Sequence, residues 1–106
     1  MSKLLYHLES DGVATLTLNR PELHNAFDDE LICSLTDTLL AMEHDQNVRV
    51  VVLTGSGDSF SAGADLNWMK RMAAASEKDN EHDALSLARL LRSLNYLDKP
   101  TVAKIL

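Results

Sequence analysis

V-V-L-T-G-S-G-D-S-F-S-A-G-A-D-L, from Val51 to Leu66, is the stretch whose reading decides the fold. Its first residues belong to V-R-V-V-V-L-T (Val48 to Thr54), a nearly unbroken β-branched run. Such a run reads as a strand covered on both faces, as in a parallel sheet. Gly55-Ser56-Gly57-Asp58 then breaks the strand into a loop. Leu66, Met69 and Ala73 fall at i, i+3 and i+7, so a helix opens near Gly63 to Asp65. Strand, small-residue loop and helix thus follow one another without a break.

Working outward, the flanking segments alternate in the same way. Leu4 to Leu8 is short and apolar-rich, and Asp11-Gly12 marks a turn. Val13 to Leu18 places Ala14, Leu16 and Leu18 on one face and Val13, Thr15 and Thr17 on the other, the period of a strand, so the two segments form a hairpin. Asn19-Arg20-Pro21 ends that strand, because proline has no N–H for a ladder. After a loop from Glu22 to Phe27, the acids Asp28, Asp29 and Glu30 suit a helix start, and Leu31, Leu35, Leu39 and Met42 make one stripe of a helix running to about Glu43. Beyond the central stretch, Ser76 to His82 is polar and reads as a mobile connection. Leu87, Leu90, Leu91, Leu94 and Leu97 make an amphipathic helix that Lys99-Pro100 stops, and Thr101 to Leu106 begins a strand. The order is β-β-α-β-α-α-β, an α/β fold with a mostly parallel sheet.

Composition narrows the classes. The 106 residues are 45% hydrophobic and 25% charged, ordinary for a globular domain. No apolar run is longer than the four residues of Val50 to Leu53, too short to span a bilayer, and the N-terminus has no signal-peptide stretch. The formal charge of −6 and the scattered bases argue against a nucleic-acid partner. Glu77, Asp79, Glu81 and Asp83 read as a solvated face. The single cysteine, Cys33, cannot form an internal disulfide; it reads as a small buried hydrophobe in a reducing, cytoplasmic setting.

Two segments could carry chemistry. Ala62, Gly63 and Ala64 have almost no side chain, so a ligand could approach the backbone closely where unpaired amides open a helix. Main-chain donors of that kind make an oxyanion site. The same small residues also suit plain helix–strand packing, and both readings stand. A phosphate loop fits poorly: Gly55, Gly57 and Gly63 do not make G-x-G-x-x-G, and no G-K-[ST] follows. The second segment is N-R-P-E-L-H-N-A-F, Asn19 to Phe27, a proline-stiffened loop at a strand's carboxyl end, where open α/β sheets line their clefts. His24 reads either as an acid–base group or as a surface hydrogen-bonding residue. No His, Cys, Asp or Glu cluster has metal-ligand spacing. Trp68 and Met69 read as helix packing that could also rim a pocket.

These motifs together resemble the crotonase superfamily, the enoyl-CoA hydratases and isomerases. N-R-P-x-x-x-N-A at Asn19 to Ala26 resembles its first signature, Val51 to Leu66 its more specific second, and K-P-T-V-A at Lys99 to Ala103 the lead-in to its third. Ser61 to Met72 further resembles bacterial hydratases of branched or carboxylated enoyl-CoA, such as methylglutaconyl-CoA. The resemblance implies the N-terminal part of a crotonase-like spiral fold over residues 1–106, truncated at its C-terminus. It implies an acyl-CoA thioester as substrate and partner, no separate cofactor, and a homo-oligomer for the full-length family. By position, it makes the Ala64 amide one of two oxyanion donors. Ala62, Asp65 and Leu66 match neighbours of the thioester and adenine, and Leu23, His24 and Ala26 match the loop lining the CoA channel. The family's second donor and its catalytic glutamates match no residue here, which implies a chain inactive alone, prone to association or aggregation through an unpaired sheet edge. The competing expectation is a non-catalytic module binding acyl-CoA or a partner.

Overall fold

The structure, a computed structural model, describes residues 2–105. Strand β1 (Leu4–Leu8) pairs antiparallel with β2 (Val13–Leu18), β2 pairs parallel with β3 (Val50–Gly55), and β3 pairs parallel with β4 (Thr101–Ala103). The sheet order is β1-β2-β3-β4, so β1 and β4 are its edges. Helix α1 (Asp29–Glu43) connects β2 to β3; helices α2 (Leu66–Ala74) and α3 (Glu77–Asn95) connect β3 to β4.

The β1–β2 hairpin closes around Gly12, whose φ of 94° is open to a residue without a Cβ. The Glu9 amide donates to the Val13 carbonyl at 2.9 Å, and the Gly12 amide donates back to Glu9 at 3.0 Å. In β2, Ala14, Leu16 and Leu18 are fully buried while the intervening residues are half-buried. That buried face meets Leu31, Ile32, Leu35, Leu39 and Met42 of α1, together with Val48, Val51, Trp68 and Leu90. The α1 stripe thus packs as its spacing requires. Asp28 starts the helix by accepting from the Leu31 amide at 2.9 Å.

Five expectations are corrected. The β-branched run of β3 predicts cover on both faces, yet only Val51 is buried and Val50, Val52 and Leu53 are half-buried. The core gathers on one face of the sheet, the face of Ala14, Leu16 and Leu18. Cys33 is exposed, because it falls outside the Ile32–Leu35–Thr36–Leu39 face of α1; its Sγ lies 3.8 Å from Asp37 Oδ2. The polar segment after Ser76 is helical: Ser76 Oγ accepts from the Asp79 amide at 3.2 Å and starts α3 at Glu77, whose first acids lie on the solvated side as expected. In α2, Trp68 packs into the core as its reading expects, but Met69 does not: it is exposed together with Leu66, so the face that packs is not the one marked by the Leu66–Met69–Ala73 spacing. β4 is also shorter than its apolar run, since Lys104 and Ile105 lie outside it and Leu106 lies outside the described residues.

Gly55 ends β3 where the chain must turn under the Asn25 side chain. A Cβ there would stand 2.6 Å from the carbonyl oxygens of Ser59 and Phe60 and 2.7 Å from Asn25 Nδ2. Two of those atoms are backbone and cannot swing aside. The Gly55→Ala variant is therefore expected to lose about 1–3 kcal/mol of stability, read from its urea-unfolding midpoint.

Candidate functional site

After β2 the chain makes a single 3₁₀ turn, Pro21–Leu23, with Pro21 supplying a preset φ. His24 and Asn25 follow with φ of 52° and 56°, both in the left-handed region. Asn25 tolerates that conformation better than most residues, and its fully buried side chain holds it there. Asn25 Oδ1 accepts from the Arg20 amide at 2.7 Å, and Nδ2 donates to the carbonyls of Ser56 and Ser59 at 2.8 and 2.7 Å. One side chain thus ties the loop after β2 to the loop after β3. His24 Nδ1 adds a contact to Ser59 Oγ at 3.2 Å, which fits the hydrogen-bonding reading of this residue.

The two loops then form a one-residue parallel bridge between Phe27 and Ala64. The Phe27 amide donates to the Gly63 carbonyl, and the Asp65 amide donates to the Phe27 carbonyl, both at 2.6 Å. In a parallel pair these bonds use the atoms flanking Ala64 and turn its own N–H to the far side. Ala62 donates to the His24 carbonyl at 2.9 Å, and Gly63 donates to Ser61 Oγ at 3.2 Å. The Ala64 amide, by contrast, has no acceptor among the described residues. The sequence places the open amides at a helix start. Helix α2 instead begins at Leu66, and Asp65 Oδ1 already caps it by accepting from Trp68 at 2.9 Å. The open amide at Ala64 comes from the bridge that precedes the helix.

Ala64 lines a cleft of about 550 Å³. Leu23, His24 and Ala26 line it from one loop, and Ala62, Asp65 and Leu66 from the other. All seven residues singled out from the sequence therefore border a single cleft. Glu22, Asn67 and Lys70 complete its wall and were not singled out. Asn67 and Lys70 stand one turn apart on α2, a neighbourhood that helical spacing alone could have revealed.

Asp65 reaches the cleft, but its carboxylate is engaged inward. Oδ2 accepts from Arg20 Nη2 at 2.9 Å, and both side chains are buried. Arg20 Nη1 donates to the Ala26 carbonyl at 2.6 Å and lies 3.4 Å from Asp28 Oδ2, which Lys3 Nζ also reaches at 2.6 Å. Neither Arg20 nor Asn25 was marked from sequence as a site residue, although both sit inside the N-R-P-x-x-x-N-A motif. The amide hydrogen bond from Trp68 holds the Asp65 carboxyl below its usual range; burial opposes this, and Arg20 reinforces it. For Asp28, burial pushes the carboxyl up, but Lys3, the Leu31 amide and Arg20 together outweigh it and hold it low.

Both carboxyls are lowered by folding, so they stabilise the fold above the ordinary carboxylate range and lose that contribution as pH falls through their folded values. Urea midpoints measured from neutral pH downward are expected to stay level to about pH 5 and then decline. The Asp28→Asn variant is expected to start lower and to decline less.

Among the described residues no helix is long and apolar enough to cross a membrane, and no His, Cys, Asp and Glu group could hold a metal ion. The sequence model described as enoyl-CoA hydratase/isomerase matches residues 9–106. The chain is 49% identical over 67 residues to the 1,2-epoxyphenylacetyl-CoA isomerase of Escherichia coli, covering 63% of this chain and 25% of that protein. It is 39% identical over 98 residues to 4-chlorobenzoyl coenzyme A dehalogenase-1 of an Arthrobacter species, covering 91% of this chain and 35% of the relative. The crystal structure of an enoyl-CoA hydratase from Shewanella pealeana superposes with a TM-score of 0.94 at 36% identity, covering 98% of this chain and 39% of that one. The chain thus spans less than half the length of each of these relatives. With its mixed four-stranded sheet and three helices on that fold, the chain belongs to the enoyl-CoA hydratase/isomerase family.

Proposed function

We propose that the cleft between the two loops binds an acyl-CoA thioester and that the Ala64 amide donates to its carbonyl oxygen. The observation that carries this reading is the unpaired Ala64 amide on the wall of a cleft that six further expected residues share. The named relatives support it. One is a hydratase, one an isomerase and one a dehalogenase, and the CoA thioester is what the three names have in common. Such different chemistries share one need, since negative charge gathers on the thioester oxygen when the acyl group is activated. A donor fixed in advance stabilises that charge more than it stabilises the ground state. Removing one such donor from a complete site typically costs about 10²–10³-fold in rate.

In this reading, Leu23, Ala26, Ala62 and Leu66 enclose the ligand's apolar parts. Residues 1–106 form the N-terminal portion of a crotonase-like domain. No residue among them matches the family's second donor or its glutamates, so the chain binds without turnover. Titration with crotonyl-CoA is expected to give saturable heats with a Kd on the order of 1 mM or tighter. It is also expected to shift the Ala64 amide resonance more than that of Ala14, which is buried in β2. Flat heats at millimolar ligand would remove the reading, and steady loss of the enoyl absorbance would remove the claim of no turnover.

The β4 edge supports association. Thr101, Val102 and Ala103 are all exposed, with Val102 at 50%. An uncovered edge strand with apolar side chains is a template for further pairing. Sedimentation is expected to show mass increasing with concentration, and the Val102→Lys variant is expected to shift the chain toward monomer.

A further inference from the structure

We propose that Arg20 is a positioning residue: its guanidinium holds the bridge that aims the Ala64 amide. The inference rests on the acyl-CoA reading for its purpose, but its geometry stands apart from any ligand.

The Ala64 N–H belongs to the peptide plane that also carries the Gly63 carbonyl. In a trans peptide the two point in opposite directions. The direction of the open amide is therefore fixed wherever the Gly63 carbonyl is fixed, and the Phe27 amide fixes it at 2.6 Å. Gly63 permits the plane because its φ is 94°. No acceptor among the described residues holds the Ala64 amide itself, so its aim depends on how firmly the two sides of the bridge stay together.

Arg20 spans those two sides. Nη1 donates to the carbonyl of Ala26, the residue before Phe27, and Nη2 donates to the carboxylate of Asp65, the residue after Ala64. It is only 7% exposed, so these charge-assisted bonds are shielded from water. A guanidinium is a planar fork whose donors can serve two acceptors at once. A lysine keeps the charge but not the fork. Asp65 joins the same tie to helix α2 through its cap on Trp68, so a slip at Arg20 moves the helix start together with the bridge.

The test uses Arg20→Lys in the chain without ligand, then with CoA and crotonyl-CoA. Without ligand, hydrogen exchange at the Phe27 and Asp65 amides is expected to rise about 10–100-fold relative to Ala14 and Leu16, and the Ala64 amide resonance is expected to move. With ligand, affinity for free CoA, which lacks the carbonyl, is expected to stay within about twofold. The extra affinity of crotonyl-CoA over CoA is expected to fall about two- to tenfold. A residue that merely stabilised the whole fold would raise exchange at Ala14 and Leu16 equally and would weaken both ligands alike. That result, or unchanged exchange at Phe27 and Asp65, would overturn the proposal. Asp65→Asn keeps a capping side chain but removes the charge pair, and it is expected to reproduce the exchange pattern. Loss of the entire fold in both variants would make Arg20 a global stabiliser and would also overturn the proposal. If the unsubstituted chain binds neither CoA nor crotonyl-CoA, the acyl-CoA reading fails, while the exchange measurement still decides the role of Arg20.

Discussion

Two loops leave the carboxyl ends of β2 and β3, and the parallel bridge between Phe27 and Ala64 holds them together. Each side of that bridge is anchored to buried groups. Asn25 fastens the first loop to the carbonyls of Ser56 and Ser59, and Arg20 fastens Ala26 to Asp65. These side-chain ties add to the main-chain bonds between the loops, among them the Ala62 amide to the His24 carbonyl at 2.9 Å. The strands beneath them are adjacent and parallel, with Leu18 opposite Gly55, so both loops emerge at the same end of the sheet.

The cluster beneath the bridge also balances its charges. Asp28 and Asp65 are carboxylates in a buried setting, where an unpaired charge is costly. Arg20 lies against both, and Lys3 lies against Asp28. Each acid also starts a helix: Asp28 accepts from Leu31 for α1, and Asp65 accepts from Trp68 for α2. Charge pairing, capping and loop closure are thereby placed on the same few atoms. A change at one of them is felt at two helix starts and at the cleft.

The core is less symmetrical than a doubly covered sheet. Ala14, Leu16 and Leu18 face the buried stripe of α1, and Leu90 and Trp68 complete the packing. The half-buried state of Val50, Val52 and Leu53, and the exposure of β4, show that β-branched composition does not by itself mean burial. It marks a strand, and what covers that strand is decided by the elements that pack on it.

Much of this was legible in the amino-acid order. The alternation in Val13 to Leu18, the stripe from Leu31 to Met42, the Asp11-Gly12 turn and the small residues from Ala62 to Ala64 announce elements that short-range sterics and hydrogen bonding nearly determine. The N-R-P and G-A-D-L motifs marked the two loops of the cleft. Tertiary structure alone decided how those parts meet. Arg20 and Asp65 are 45 residues apart, and Asn25 and Ser59 are 34 apart, so their bonds exist only after the strands pair. The same holds for Trp68 turning inward, for Cys33 turning outward, and for the open Ala64 amide. Periodicity ranks the faces of an isolated helix or strand, but a side chain's final direction follows from which partners the rest of the chain brings to it.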